Sequence, residues 1–113
     1  MIKIYHNSRC SKSRETLKLI EEQGREMQVI NYLVEPPTAG ELQELLRKLN
    51  MPPEQLIRKG EQLYKEQFAG KQYSAEEWIA IMTVNPVLIE RPIVVNGNQA
   101  VIGRPPEKVL TIL

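Results

Sequence analysis

The sequence holds a single cysteine in 113 residues. That count excludes an internal disulfide and a metal site built from several thiolates. No apolar run is long enough to span a bilayer. The first residues, Met1-Ile2-Lys3-Ile4-Tyr5, lack the long apolar stretch of a secretory signal, so a cytoplasmic location is expected. Charge of one sign is not in excess either. The formal net charge is +1, and no overall field draws the chain to nucleic acid or to a membrane. A local positive pocket is compatible with that sum. Repeats, low-complexity tracts, charge blocks and recognisable linkers are all missing. What is there, 42% hydrophobic and 26% charged residues, fits one soluble domain with one core. A monomer is the expected state.

Punctuation by proline and glycine divides the chain into elements. Residues 2–5 read as a strand and residues 13–23 as a helix with Leu17, Leu19 and Ile20 on its apolar side. Gly24 stands where that helix would end. Residues 27–32, with Val29, Ile30 and Tyr32, read as a second strand. Two strands joined through a helix should be parallel. Thr38 and Glu41 have capping-box spacing, followed by Leu42, Leu45, Leu46 and Leu49 as a buried stripe. Residues 53–59 read as a short helix closed by Gly60, and residues 61–68 as another before Gly70. Ser74 and Glu77 repeat the capping-box spacing, with Trp78, Ile81 and Met82 on one face, and Asn85-Pro86 ends that helix. Residues 93–95 and 100–102 read as strands around an Asn96-Gly97 turn. Pro105 and Pro106 suit the start of a last helix carrying Val109, Leu110 and Ile112. The order βαβ, helices, ββα is that of an α/β, thioredoxin-like fold with a helical insertion, at about 38–85, between its halves. In that fold the loop after the first strand carries the redox chemistry.

Here that loop is His6-Asn7-Ser8-Arg9-Cys10-Ser11-Lys12-Ser13-Arg14. A free thiol has a pKa of about 8.5, and only the thiolate is a good nucleophile. A helix N-terminus offers unsatisfied N–H groups and the positive end of the dipole. Arg9, Lys12 and Arg14 bring cations, and His6 offers a positive charge or a hydrogen bond. The same N–H groups, with the hydroxyls of Ser11 and Ser13, suit a tetrahedral oxyanion. The residues alone therefore indicate a thiol enzyme that handles an oxyanion or an activated sulfur compound.

The loop resembles the glutaredoxin-linked arsenate reductase family, whose pattern is His-Asn-x-x-Cys-x-x-Ser-Arg. His6, Asn7, Cys10, Ser13 and Arg14 match it position for position. Tyr32-Leu33 with Pro36-Pro37, Leu56-Ile57-Arg58-Lys59, Asn85-Pro86, the segment from Leu88 to Val95, and Gly103-Arg104-Pro105 resemble further motifs, so the likeness covers essentially the whole chain. The resemblance implies that Cys10 attacks arsenate, that His6 assists thiol ionisation, and that Arg58, Arg91 and Arg104 hold the oxyanion. Asn7, Ser13 and Arg14 complete the implied oxyanion-binding set. It further implies no bound cofactor or metal, glutathione as co-substrate, and glutaredoxin as partner. Arginine's planar fork suits such oxyanions. Arg47, without a motif match, is read as a surface ion pair. Pro92 is expected to follow a cis peptide bond, as the proline facing the cysteine loop does in thioredoxin folds.

Ser11 and Lys12 depart from the small residues that often follow the family's cysteine. Two other functions share the fold. Spx-like transcription regulators bind RNA polymerase and sense disulfide stress through Cys-x-x-Cys; position 13 here is serine, so that switch cannot form. A glutathione-linked thiol–disulfide oxidoreductase is the other, and a loop with one thiol permits it.

Overall fold

Alternation in the first segment produces β1, Ile2–His6, in which Ile2 and Ile4 are buried and Lys3 is exposed. The computed structural model describes residues 2–113. The chain divides into two compact units. One holds the described residues up to Glu35 together with Arg91–Leu113; the other is Pro36–Glu90.

In the first unit β1 is followed by α1, Ser11–Glu22, and β2, Met27–Asn31; the returning chain adds β3, Ile93–Asn96, and β4, Gln99–Ile102. The sheet order is β2-β1-β3-β4. β1 runs parallel to β2, with Ile2 opposite Met27 and His6 opposite Asn31. β1 and β3, and β3 and β4, are antiparallel. This is the thioredoxin-like α/β arrangement read from the element order. Ile2 and Ile4 of β1, Ile20 of α1 and Val94 of β3 form the core with Val109 and Ile112. Each such side chain contributes about 1.5–3 kcal/mol by leaving water. Gly24 ends α1 with φ +68°, a left-handed conformation that glycine adopts without a Cβ penalty.

Three details of this unit differ from the sequence reading. α1 begins two residues early, at Ser11, and the residues it buries are Ser13, Thr16 and Ile20 rather than Leu17 and Leu19, which are half-buried. The β3–β4 turn is centred on Gly97 and Asn98; only Gly97 takes positive φ, at +63°, while Asn96 stays paired with Gln99. The last helix is a 3-10 helix, Pro106–Thr111. With three residues per turn, positions three apart eclipse. Pro106, Val109 and Ile112 are accordingly buried, and Leu110, expected on the apolar face, is exposed.

The second unit contains α2, Ala39–Leu49, α3, Gln62–Gln67, and α4, Ala75–Val84. Both capping boxes form: Thr38 with Glu41, and Ser74 with Glu77. α2 buries Leu42, Leu45 and Leu46. α4 buries Trp78, Ile79 and Met82, with Ile81 only half-buried. Arg47 pairs with Glu44 on the exposed side of α2. The helix expected over 53–59 is reduced to a 3-10 turn, Pro53–Leu56. The backbone bonds that would extend it go elsewhere: Ile57 bridges Ile89, the Arg58 N–H donates to Leu88 O at 2.7 Å, and the Glu90 N–H donates to Leu56 O at 2.9 Å. Among the described residues no helix is long and apolar enough to cross a membrane.

The Thr38 hydroxyl accepts the Glu41 N–H at 3.1 Å. Thr38→Ala should lower the unfolding free energy by about 1 kcal/mol, the usual worth of an N-cap. A urea titration checks this; an unchanged midpoint would show that the box contributes nothing.

Candidate active site

The loop between β1 and α1 is built by its own polar groups. Asn7 Oδ1 accepts the Arg9 N–H at 3.0 Å, and the Cys10 N–H donates to Asn7 O at 3.0 Å, closing a turn. The Asn7 N–H donates to Ser13 Oγ at 3.2 Å, and Arg14 Nη1 donates to Ser8 O at 3.0 Å. Asn7, Ser13 and Arg14 thus each brace the loop's backbone. Cys10 falls at the N-cap of α1, and its carbonyl accepts the Arg14 N–H at 3.0 Å. No side chain caps this end, and the first turn carries no acidic residue. The first N–H groups of the helix therefore face the Cys10 side chain and any anion held beside it.

Cys10 is buried, 8% exposed. Burial alone pushes its thiol up. The Ser13 N–H, the Arg91 charge, the Lys12 N–H and a hydrogen bond from Arg91 outweigh burial and bring the thiol below its ordinary value. Lys12 and Ser13 are the second and third helical residues, whose N–H groups face an N-cap side chain.

Two of the three spaced arginines lie at this sulfur. Arg91 is 6% exposed and hydrogen-bonds Cys10. Arg104 Nη2 lies 3.5 Å from Cys10 Sγ, while its Nε donates to Arg91 O at 2.7 Å. The Arg91–Pro92 peptide is cis, as expected, and so is Arg104–Pro105, which was not foreseen. Arg58 belongs to the second unit, where its Nη1 pairs with Glu61 Oε2 at 2.9 Å. Lys12 meets Glu15 at 3.6 Å across an exposed helix face.

His6 ends β1 on the face that also carries Ile2 and Ile4, by strand alternation. It is 8% exposed, and its Nδ1 has no hydrogen-bond partner. Burial first, and the Arg14 charge second, lower its pKa. Both disfavour the protonated imidazole, so of the two roles offered by the sequence, a positive charge or a hydrogen bond, the fold favours the hydrogen bond.

Sequence reasoning missed Thr16 and Gly103. Thr16 is fully buried on α1. A Cβ on Gly103 would stand 2.7 Å from Thr16 Oγ1 and 3.0 Å from Pro92 Cγ. The only trace of this in the sequence is a glycine abutting a motif arginine.

The sequence model of the ArsC family matches residues 5–112. The chain belongs to the ArsC family. It is 52% identical to the uncharacterized protein YfgD of Escherichia coli K12, over 99% of this chain and 96% of that one. It is 44% identical to an arsenate reductase of Haemophilus influenzae, over 97% of each chain. The solved structure of the arsenate reductase from Vibrio cholerae superposes with a TM-score of 0.95 at 50% identity, covering 99% of this chain and 97% of that one.

Two expectations follow for the titrating groups. Because Cys10 is the sole cysteine, alkylation by iodoacetamide reads it alone. The rate-versus-pH midpoint should lie below that of the same chain in denaturant; equal midpoints would contradict the assigned activation. His6 has its pKa lowered on folding, so its contribution to stability is complete above the unfolded value of about 6.5 and is lost as pH falls from there through the lowered folded value. Stability should drop as pH falls below about 6.5, and less steeply in His6→Gln. Parallel profiles for the two proteins would show that His6 does not titrate in this way.

Proposed function

We infer that this protein reduces arsenate to arsenite through a covalent adduct on Cys10. The observation that carries the reading is the meeting of Arg91 and Arg104 at a sulfur seated on the N-terminus of α1. Membership of the ArsC family and relatives named arsenate reductase support it.

An anionic nucleophile and an anionic substrate repel each other. Buried guanidinium groups and helix N–H donors offset that repulsion, and they strengthen where charge develops in the transition state. The Cys10 thiolate attacks arsenic, an S–As bond forms, and one arsenate oxygen leaves as water after protonation. Arsenic is still in its pentavalent state. A glutathione thiol displaces a second oxygen in the same way. A glutaredoxin thiolate then attacks the glutathione sulfur. The S–As electron pair passes to arsenic, reducing it, and a glutathione–glutaredoxin disulfide forms. Water releases arsenite and restores the Cys10 thiol. The chain's one cysteine suffices, because the other thiols arrive with the partners. His6, whose protonation is disfavoured by burial and by Arg14, serves as a hydrogen-bonding group in this scheme. Asn7, Ser13 and Arg14 support the oxyanion by shaping the loop. The assignment of Arg58 to the oxyanion rests on its motif. Arsenate, glutathione and glutaredoxin are thus the proposed partners, and a cytoplasmic monomer the proposed setting.

The test is an arsenate reduction assay with purified protein, glutathione and glutaredoxin. Turnover is expected, and Cys10→Ser should abolish it. Arg91→Ala should weaken transition-state stabilisation by about 1–3 kcal/mol, the cost of losing a charged hydrogen bond. Turnover of glutathione mixed disulfides with none of arsenate would replace this reading by the oxidoreductase one.

A further inference from the structure

Arg104 is useful at Cys10 only if its guanidinium is held there, and β4 must come close to α1 for that. We propose that Gly103 is a positioning residue for Arg104: its bare Cα, seated between Thr16 and Pro92, sets the approach that brings Arg104 to the Cys10 sulfur. The proposal rests on the arsenate reading for its substrate, though not for its geometry.

Three observations converge. The direction in which a side chain would leave Gly103 is filled: Thr16 Oγ1 would be 2.7 Å from a Cβ, Pro92 Cγ 3.0 Å and Thr16 Cγ2 3.2 Å. Both branches of Thr16 border the site, so rotating this stiff side chain exchanges one contact for another. Thr16 is itself fully buried on α1, the helix whose N-cap is Cys10. Gly103 is also tied through its backbone, since its N–H donates to Pro92 O at 2.9 Å. The next residue repeats the attachment with its side chain: Arg104 Nε donates to Arg91 O at 2.7 Å, which leaves Nη2 at 3.5 Å from Cys10 Sγ. Two consecutive residues of one strand end are thus fastened to the two consecutive residues Arg91 and Pro92. A methyl group on Gly103 must push α1 and the strand end apart, and the group that moves with the strand end is the Arg104 guanidinium.

The experiment measures the pH profile of Cys10 alkylation, the KM for arsenate and the melting temperature in five proteins. These are the wild type, Gly103→Ala, Arg104→Ala, and Gly103→Ala combined with either Arg104→Ala or Thr16→Ala. Gly103→Ala should move the alkylation midpoint upward, toward that of Arg104→Ala, and raise KM about tenfold, the effect of one weakened charged hydrogen bond. On the Arg104→Ala background it should add nothing to the midpoint. Thr16→Ala removes both colliding atoms of that residue, and it should return the midpoint of Gly103→Ala to the wild-type value. A folded Gly103→Ala protein whose midpoint and KM do not move overturns the proposal, even if its melting temperature falls. Full additivity with Arg104→Ala also overturns it. If Gly103→Ala alone does not fold, the variant with Thr16→Ala must fold with the wild-type midpoint; a shifted midpoint there overturns the proposal. Should the wild type fail to turn over arsenate, the proposed function falls, and the alkylation profiles still decide this inference.

Discussion

A guanidinium in the interior is the constraint on which the rest of the first unit depends. Arg91 is 6% exposed, and a cation taken out of water costs several kcal/mol unless an anion and hydrogen bonds meet it. The Cys10 sulfur is one such complement. The benefit is reciprocal, because a cation that favours the thiolate is itself favoured by it. The surrounding backbone serves this pair. β3 starts two residues after Arg91, and the carbonyl of Arg91 anchors Arg104, whose other arm reaches the same sulfur. One residue thus supplies a charge through its side chain and a mooring for a second charge through its main chain.

The identity of the reacting group was legible because its signals are local. Cys10 lies within a few residues of a strand end and a helix start, and both elements announce themselves by periodicity and punctuation. The parallel pair, the hairpin and both capping boxes were legible for the same reason. What escaped depends on which residues meet across long separations. Cys10 and Arg104 are 94 positions apart, and nothing in the spacing of arginines says that one would hang from the carbonyl of another. Thr16 and Gly103 are ordinary residues until α1 and β4 close on them. The 3-10 turn at Pro53–Leu56 follows the same logic. Its sequence suits a helix, and a bridge to Ile89 takes the next residue away. The Asn96-Gly97 pair has the composition of a turn, yet the strand pairing of Asn96 with Gln99 leaves Gly97 to supply the left-handed conformation alone.

His6 shows how structure alters a chemical role without moving the residue. In sequence, a histidine four positions before a thiol reads as a hydrogen-bonding group or as a neighbouring positive charge. In the fold, burial and Arg14 disfavour its protonation, so a thiolate–imidazolium pair of the kind that activates many cysteines is disfavoured here. The thiolate is supported instead by helix N–H groups and guanidinium charge.

That distinction bears on selectivity within the proposed reaction. N–H donors and guanidinium groups recognise charge and tetrahedral shape, and phosphate presents both nearly as well as arsenate does. Binding at such a site is therefore a weak discriminator. The thiolate is the stronger one. Arsenic accepts sulfur and can take an electron pair from it, while phosphorus under the same conditions gains nothing by forming the bond and is not reduced. On the proposed reading, phosphate is a competitor that occupies the site without reacting. The selectivity of the enzyme then lies in what Cys10 can do to the bound atom, and the arginines serve both anions while the sulfur serves one.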